Sequence, residues 1–183
     1  MHLHPWWAIG AGIALSAACG LRAFLPLLVL GIASRTGLIT LGHGVGWLSS
    51  DTALIAIGVA TVLELATDKI PVLDHGLDAI GFVLRPAAAW LASYALLVHW
   101  PAPWGQGVAL VLALLALAIQ GAKAKVRLGS SALTLGTANP LVSVIEDALS
   151  LVMAVAGVLV PLAAIAALLV FIVAIQRRRA RIA

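Results

Sequence analysis

Charge is what this chain has least of. Only 10% of its 183 residues are Asp, Glu, Lys or Arg, where a water-soluble domain carries about a quarter. With 63% hydrophobic residues and a mean hydropathy of +1.13, it cannot clothe a water-facing surface, and a lipid bilayer is the solvent its composition fits. A single cysteine, Cys19, excludes an intrachain disulfide, and no Cys/His spacing suits a metal. No Lys or Arg precedes Arg22. The apolar start therefore lacks the charged region of a cleaved signal peptide and is expected to remain as a membrane helix. No nucleophile–base set and no Gly-rich phosphate loop is present. An enzyme is not expected, and neither is a cofactor, a divalent cation excepted.

What is there reads as an all-α membrane protein: a polytopic helical bundle of about six transmembrane segments, with broken or kinked helices, in one integral membrane domain over 1–183. The spans fall near 6–33, 52–67, 71–100, 105–121, 140–157 and 161–176. The first would be about 40 Å long, more than a ~30 Å hydrocarbon core requires. Gly20, Arg22 and Pro26 in its middle predict a break or kink. The third is interrupted by Arg85 and Pro86. Residues 34–51 read as a loop, and 128–138, rich in Gly, Ser and Thr, as a loop or a re-entrant piece. The apolar run from 140 to 175 is too long for one crossing and divides near 157–161.

Six crossings with both termini in the cytoplasm place nine of the eleven basic residues inside: Lys69, Arg85, Lys123, Lys125, Arg127, Arg177, Arg178, Arg179 and Arg181. That bias matches the rule that cytoplasmic loops collect Lys and Arg. Trp47, Trp100 and Trp104 then form an outer aromatic belt. The tail arginines suit anionic lipid at the cytoplasmic face, not nucleic acid. Two stretches echo one another: Pro71 to Asp78-Ala79 and Pro140 to Asp147-Ala148. Such echoes are compatible with a duplicated unit of the kind that builds transporters. A chain this small also suits a homodimer with a pathway at its interface.

The residues that carry chemistry are the acids. Of seven, Glu64, Asp68, Asp74 and Asp78 lie within 61–86, and Glu146 and Asp147 early in the fifth span. Glu64 and Asp68 share a helix face by their spacing of four, as do Asp74 and Asp78. Carboxylates that close to lipid require a partner, water or a task. One expectation is an ion or solute site between the second, third and fifth spans, with Glu64, Asp68, Asp78, Glu146 and Asp147 as cation or proton ligands and Arg22 as counter-charge. Glu64, Asp68 and Asp78 are the candidates for a metal. Asn139, before Pro140, opens a helix whose amides suit an anion or an ordinary cap. The competing expectation is structural: the acids cap helices and pair with basic residues, while Lys123, Lys125 and Arg127 meet lipid phosphate or the chain binds a partner membrane protein.

Several of these motifs carry a resemblance. Gly20-Leu21-Arg22-Ala23-Phe24-Leu25-Pro26, Glu64 to Pro71 (ELATDKIP), Asp74 with Asp78, Arg85-Pro86, and Asn139-Pro140 with Ser143 and Glu146-Asp147 resemble a family of small bacterial inner-membrane proteins known as a domain of unknown function. The resemblance covers most of the chain and implies a multi-pass inner-membrane protein, with no activity attached. Residues 64–69 are also similar to the Glu-x-Gly-Asp-Lys signature of manganese/calcium exporters. Here the acids are four apart, not three, and the glycine is missing.

Overall fold

The computed structural model describes residues 5–42, 44–68, 71–97, 99–101, 103–134, 137–159 and 170; of residue 5 and residues 71–78 it describes the backbone alone. Among these the chain is all-α, without a strand, in the order α1 (Pro5–Leu21), α2 (Phe24–Arg35), α3 (Asp51–Thr67), α4 (Pro71–Leu97), α5 (Trp104–Thr134) and α6 (Asn139–Leu159), with a short 3₁₀ turn at Gly46–Ser49 before α3. Among the described residues three helices are long and apolar enough to cross a membrane: α4 over Ala79–Leu97, α5 and α6. Large apolar side chains such as Ile55, Val59, Val83, Leu110 and Val152 face outward, which a hydrocarbon solvent permits and water does not.

The centre of the bundle is α1, packed against α4, α5 and α6. Its inward residues are small: Ala8, Ala11, Ala14, Ala17 and Ala18 are all buried, and so are Ala88, Ala89, Ala92, Ala109, Ala113 and Ala116 on the helices α4 and α5 packed against it. Lipid tails are as apolar as leucine, so helices in a bilayer associate through close packing and hydrogen bonds. Both are present. Ser16 Oγ lies 2.9 Å from Ser93 Oγ, and Ser150 Oγ donates to Ala18 O at 3.0 Å. A Cβ placed on Gly20 would lie 2.8 Å from the Ala116 carbonyl oxygen and from Ile119 Cβ. Gly20→Ala is therefore expected to part α1 from α5 and cost about 1–3 kcal/mol. The control Gly107→Ala, with nothing within 4 Å, should be neutral or slightly stabilising. Thermal unfolding of both variants in a mild detergent distinguishes them.

The first span does break, at Arg22 and Ala23. Pro26 falls in the first turn of α2, where its missing N–H leaves no helical bond unmade. Beyond the break α2 turns aside to pack on α3 and α6. It ends at Gly37, whose φ of 76° lets the Gly37 amide donate to Ser34 O at 3.1 Å and the Leu38 amide to Ala33 O at 3.0 Å. This is the two-bond stop that a left-handed glycine permits. Helix α3 begins at the cap Ser50, whose Oγ accepts from the Ala53 amide at 3.2 Å.

Three expectations differ from the structure. The helix α4 runs through Arg85 and Pro86 without interruption, since transmembrane helices tolerate a proline that neighbours compensate. The helix α5 does not stop at 121 but continues to Thr134, so residues 128–134 are helix and not a loop. Lys123 and Arg127 looked like terminal interfacial charges; instead they lie inward on α5, 4% and 3% exposed, and the helix proceeds past them. The sixth span at 161–176 apart from residue 170, residues 177–183, Lys69, and the side chains of Asp74, His75 and Asp78 lie outside the described residues.

Candidate functional site

Breaking α1 from α2 exposes backbone groups at two helix ends. Carbonyls at the end of α1 carry partial negative charge, and amides at the start of α2 partial positive charge. Each is met by a side chain of opposite sign from another helix. Lys123 Nζ, from α5, donates to Leu21 O at 3.2 Å. Glu64, from the last turn of α3, accepts from the Ala23 amide with Oε1 at 2.9 Å and from the Phe24 amide with Oε2 at 3.1 Å. One carboxylate thus caps the N-terminus of α2 with both oxygens. The spacing of four between Glu64 and Asp68 allows α3 to bring both to the break.

Arg22, at the break itself, is fully buried and gathers the rest. Its guanidinium bonds to Asp68 Oδ2 and donates through Nη2 to Ser143 Oγ at 2.8 Å. The same nitrogen lies 2.5 Å from Asp147 Oδ1 and 3.7 Å from Glu146 Oε2. From α5, Arg127 grips Glu146 with two nitrogens, Nε at 3.2 Å and Nη2 at 2.6 Å, and Nη2 also reaches Asp68 Oδ2 at 3.0 Å. Lys123 adds contacts of 3.2 Å to Glu146 and 3.7 Å to Asp68. Three cations, Arg22, Lys123 and Arg127, meet three acids, Asp68, Glu146 and Asp147. In a low-dielectric bundle that balance offsets the desolvation each charge suffers. Asp68, just past the end of α3, shows the contest. Burial pushes its carboxyl upward, but Arg22 first, then Lys123 and Arg127, outweigh it and hold the acid below the ordinary carboxylate range.

Beside the network lies a cleft of about 290 Å³, lined by Ala23, Phe24, Ala60, Leu63, Glu64, Thr67, Asp68, Gly81, Leu84 and Arg85. It forms because α3 packs on α2 and touches α4 only sparsely. Arg85 is 2% exposed. A Cβ on Gly81 would lie 3.2 Å from both Arg85 Cζ and Gln120 Nε2, so the glycine seats the guanidinium against α4.

The structure brings together Arg22, Asp68, Glu146 and Asp147, with Glu64 next to them at the start of α2. It does not bring Asn139 in by any described bond: its Nδ2 donates to Ser131 Oγ at 2.9 Å, tying the α5–α6 connection. Asp78 cannot be placed, its side chain being outside the described residues. Of the basic trio expected at lipid headgroups only Lys125 is exposed; Lys123 and Arg127 face the acids. Among the described residues no three His, Cys, Asp or Glu side chains converge as a metal-binding group. Sequence reasoning did not single out Gly81 or Gln120, and named Ser143 only within a motif. Their signals were spacings: Gly81 four before Arg85, Gln120 three before Lys123, and Ser143 four before Asp147.

Fold and site together define a polytopic α-helical membrane protein built around a discontinuous helix whose ends are capped by buried charge. The chain belongs to the family described as Domain of unknown function (DUF4126), which matches residues 9–180. No curated protein and no solved structure shows a significant match to it.

Proposed function

We propose that this chain is a small membrane transporter whose path passes through the cleft at the α1–α2 break. The observation that carries the reading is a 290 Å³ cleft that reaches the α2 N-terminal residues Ala23 and Phe24 and the carboxylate seated on their amides. Interrupted helices are where multi-pass carriers place their sites, because half-helix ends supply backbone donors and acceptors that an unbroken bundle lacks. Glu64 is the proposed proton carrier: adding a proton removes the charge that holds it on the two amides, and losing one restores it. Proton coupling fits better than a divalent cation, since the oxygens of Asp68 and Glu146 are already occupied by Arg22, Lys123 and Arg127. The proposed setting is the inner membrane of a bacterium, both termini cytoplasmic, with the cleft toward the cytoplasmic side.

A second reading draws on the three-against-three charge balance. A network that neutralises itself is what a non-transporting scaffold for lipid or a partner membrane protein would use to hold its helices. Reconstitution in proteoliposomes separates the two. The transporter reading expects an imposed proton gradient to drive solute flux that Glu64→Gln lowers by about tenfold or more, a loss typical of removing a proton-transfer group, with stability lowered by no more than a weakened helix cap costs, about 0.5–2 kcal/mol. Absence of flux from wild-type vesicles, together with a lowered unfolding temperature in Glu64→Gln, would favour the scaffold.

A further inference from the structure

Resting on the transporter reading, we infer that the cleft takes a short-chain monocarboxylate and that Arg85 anchors its carboxylate. Three charged side chains line the cleft. Asp68 is held by Arg22 and Arg127, and Glu64 by the Ala23 and Phe24 amides. Among the described lining residues Arg85 is the cation, 2% exposed at rest, and a planar guanidinium suits a carboxylate's two oxygens. It keeps polar contacts of its own at rest, which the ligand joins or exchanges. The remaining wall is mostly apolar, from Phe24, Ala60, Leu63 and Leu84, with the hydroxyl of Thr67 turned onto the Leu63 carbonyl, and matches a short hydrocarbon tail. The volume of about 290 Å³ corresponds to roughly ten water molecules and lies at the small end of ligand sites. Nucleotides and long acyl chains do not fit inside.

Charge balance gives the same answer. Among the described residues, four cations, Arg22, Arg85, Lys123 and Arg127, and four acids, Glu64, Asp68, Glu146 and Asp147, stand around the break and cleft. A cation entering alone leaves an excess positive charge where solvation is poor; an anion entering alone leaves an excess negative one. An anion arriving together with one proton from the aqueous side, carried on Glu64, restores neutrality. It also frees the Ala23 and Phe24 amides for the ligand's oxygens, so the ligand takes the place the side chain held. Glu64 is faced by Cys19 and Arg22 from the α1 side, by Asp68 on its own helix and by Arg85 across the cleft.

Equilibrium dialysis of radiolabelled butyrate against the full-length protein in detergent tests the inference. Saturable binding is expected, not displaced by neutral butyramide. Arg85→Gln should weaken it about tenfold or more, the scale of a lost charged hydrogen bond, and Arg85→Lys less. Ala60→Leu, which fills the cleft without altering a charge, should weaken it as strongly. If Arg85→Gln does not fold, Arg85→Lys and Ala60→Leu decide. No saturable binding by the wild type, or binding that these variants leave unchanged, overturns the inference. Binding without flux in vesicles keeps it and removes the transporter reading; proton-coupled flux of another solute without butyrate binding does the reverse.

Discussion

Arg22→Met is expected to leave little folded protein. The side chain has no exposed surface, and its guanidinium touches Asp68, Ser143 and Asp147 across α3 and α6. Methionine fills much of the volume but supplies no positive charge. Asp68 retains Lys123 and Arg127, so the deficit falls chiefly on Asp147 and on the network's sum, which becomes one negative. Removing one partner of a buried pair costs about 3–5 kcal/mol, a large part of the roughly 5–15 kcal/mol by which folded proteins are stable. Arg22→Lys keeps the charge and loses the fork that spans two helices, so it should recover only part of the loss. Size-exclusion profiles and thermal unfolding in mild detergent read both variants. An unfolding temperature for Arg22→Met equal to that of the wild type would show that the break is held by something else.

A double-mutant cycle on Arg127 and Glu146 should show the largest coupling in the molecule. These side chains share two hydrogen bonds, at 2.6 and 3.2 Å. Arg127→Met leaves Glu146 on Lys123 with one negative charge in excess; Glu146→Met leaves one positive charge in excess. Each single change is expected to destabilise by about 3–5 kcal/mol. The double variant removes one charge of each sign and leaves Arg22 and Lys123 facing Asp68 and Asp147, balanced again. Replacing a whole buried pair with apolar side chains is often close to neutral, so the double should lose far less than the sum of the singles. The difference is expected to exceed about 3 kcal/mol, the upper end of couplings between contacting residues, read from the same unfolding curves. Additive losses would mean that the two residues act separately.

These expectations separate what stabilises the break from what the cleft does. Glu64 and Arg85 line the cleft; Arg22 ties the end of α1 to α6, and Arg127 with Glu146 ties α5 to α6. Variants of the first pair should act on flux or binding, and variants of the second on stability.

The composition alone determined the solvent and the class of fold. Hydrocarbon offers backbone groups no partner, so only helices or closed barrels cross it, and apolar runs without the polar alternation of barrel strands leave helices. The positions of the acids were legible for the same reason, since a carboxylate among apolar residues is conspicuous, and the spacing of Glu64 and Asp68 placed both on one face. The break in the first span was legible from Gly20, Arg22 and Pro26, though not its exit after Leu21. The pairing was not legible. Lys123 and Arg127 follow an apolar run like interfacial anchors, and only the packing of α5 against α1 and α6 turns them toward Glu146 and Asp68. The same holds for the cleft, which exists because α3 follows α2 away from α4, a matter of direction in space that a hydrophobic pattern does not encode. Sequence specifies which groups must find partners in a dry interior; the helix directions decide which partners they find.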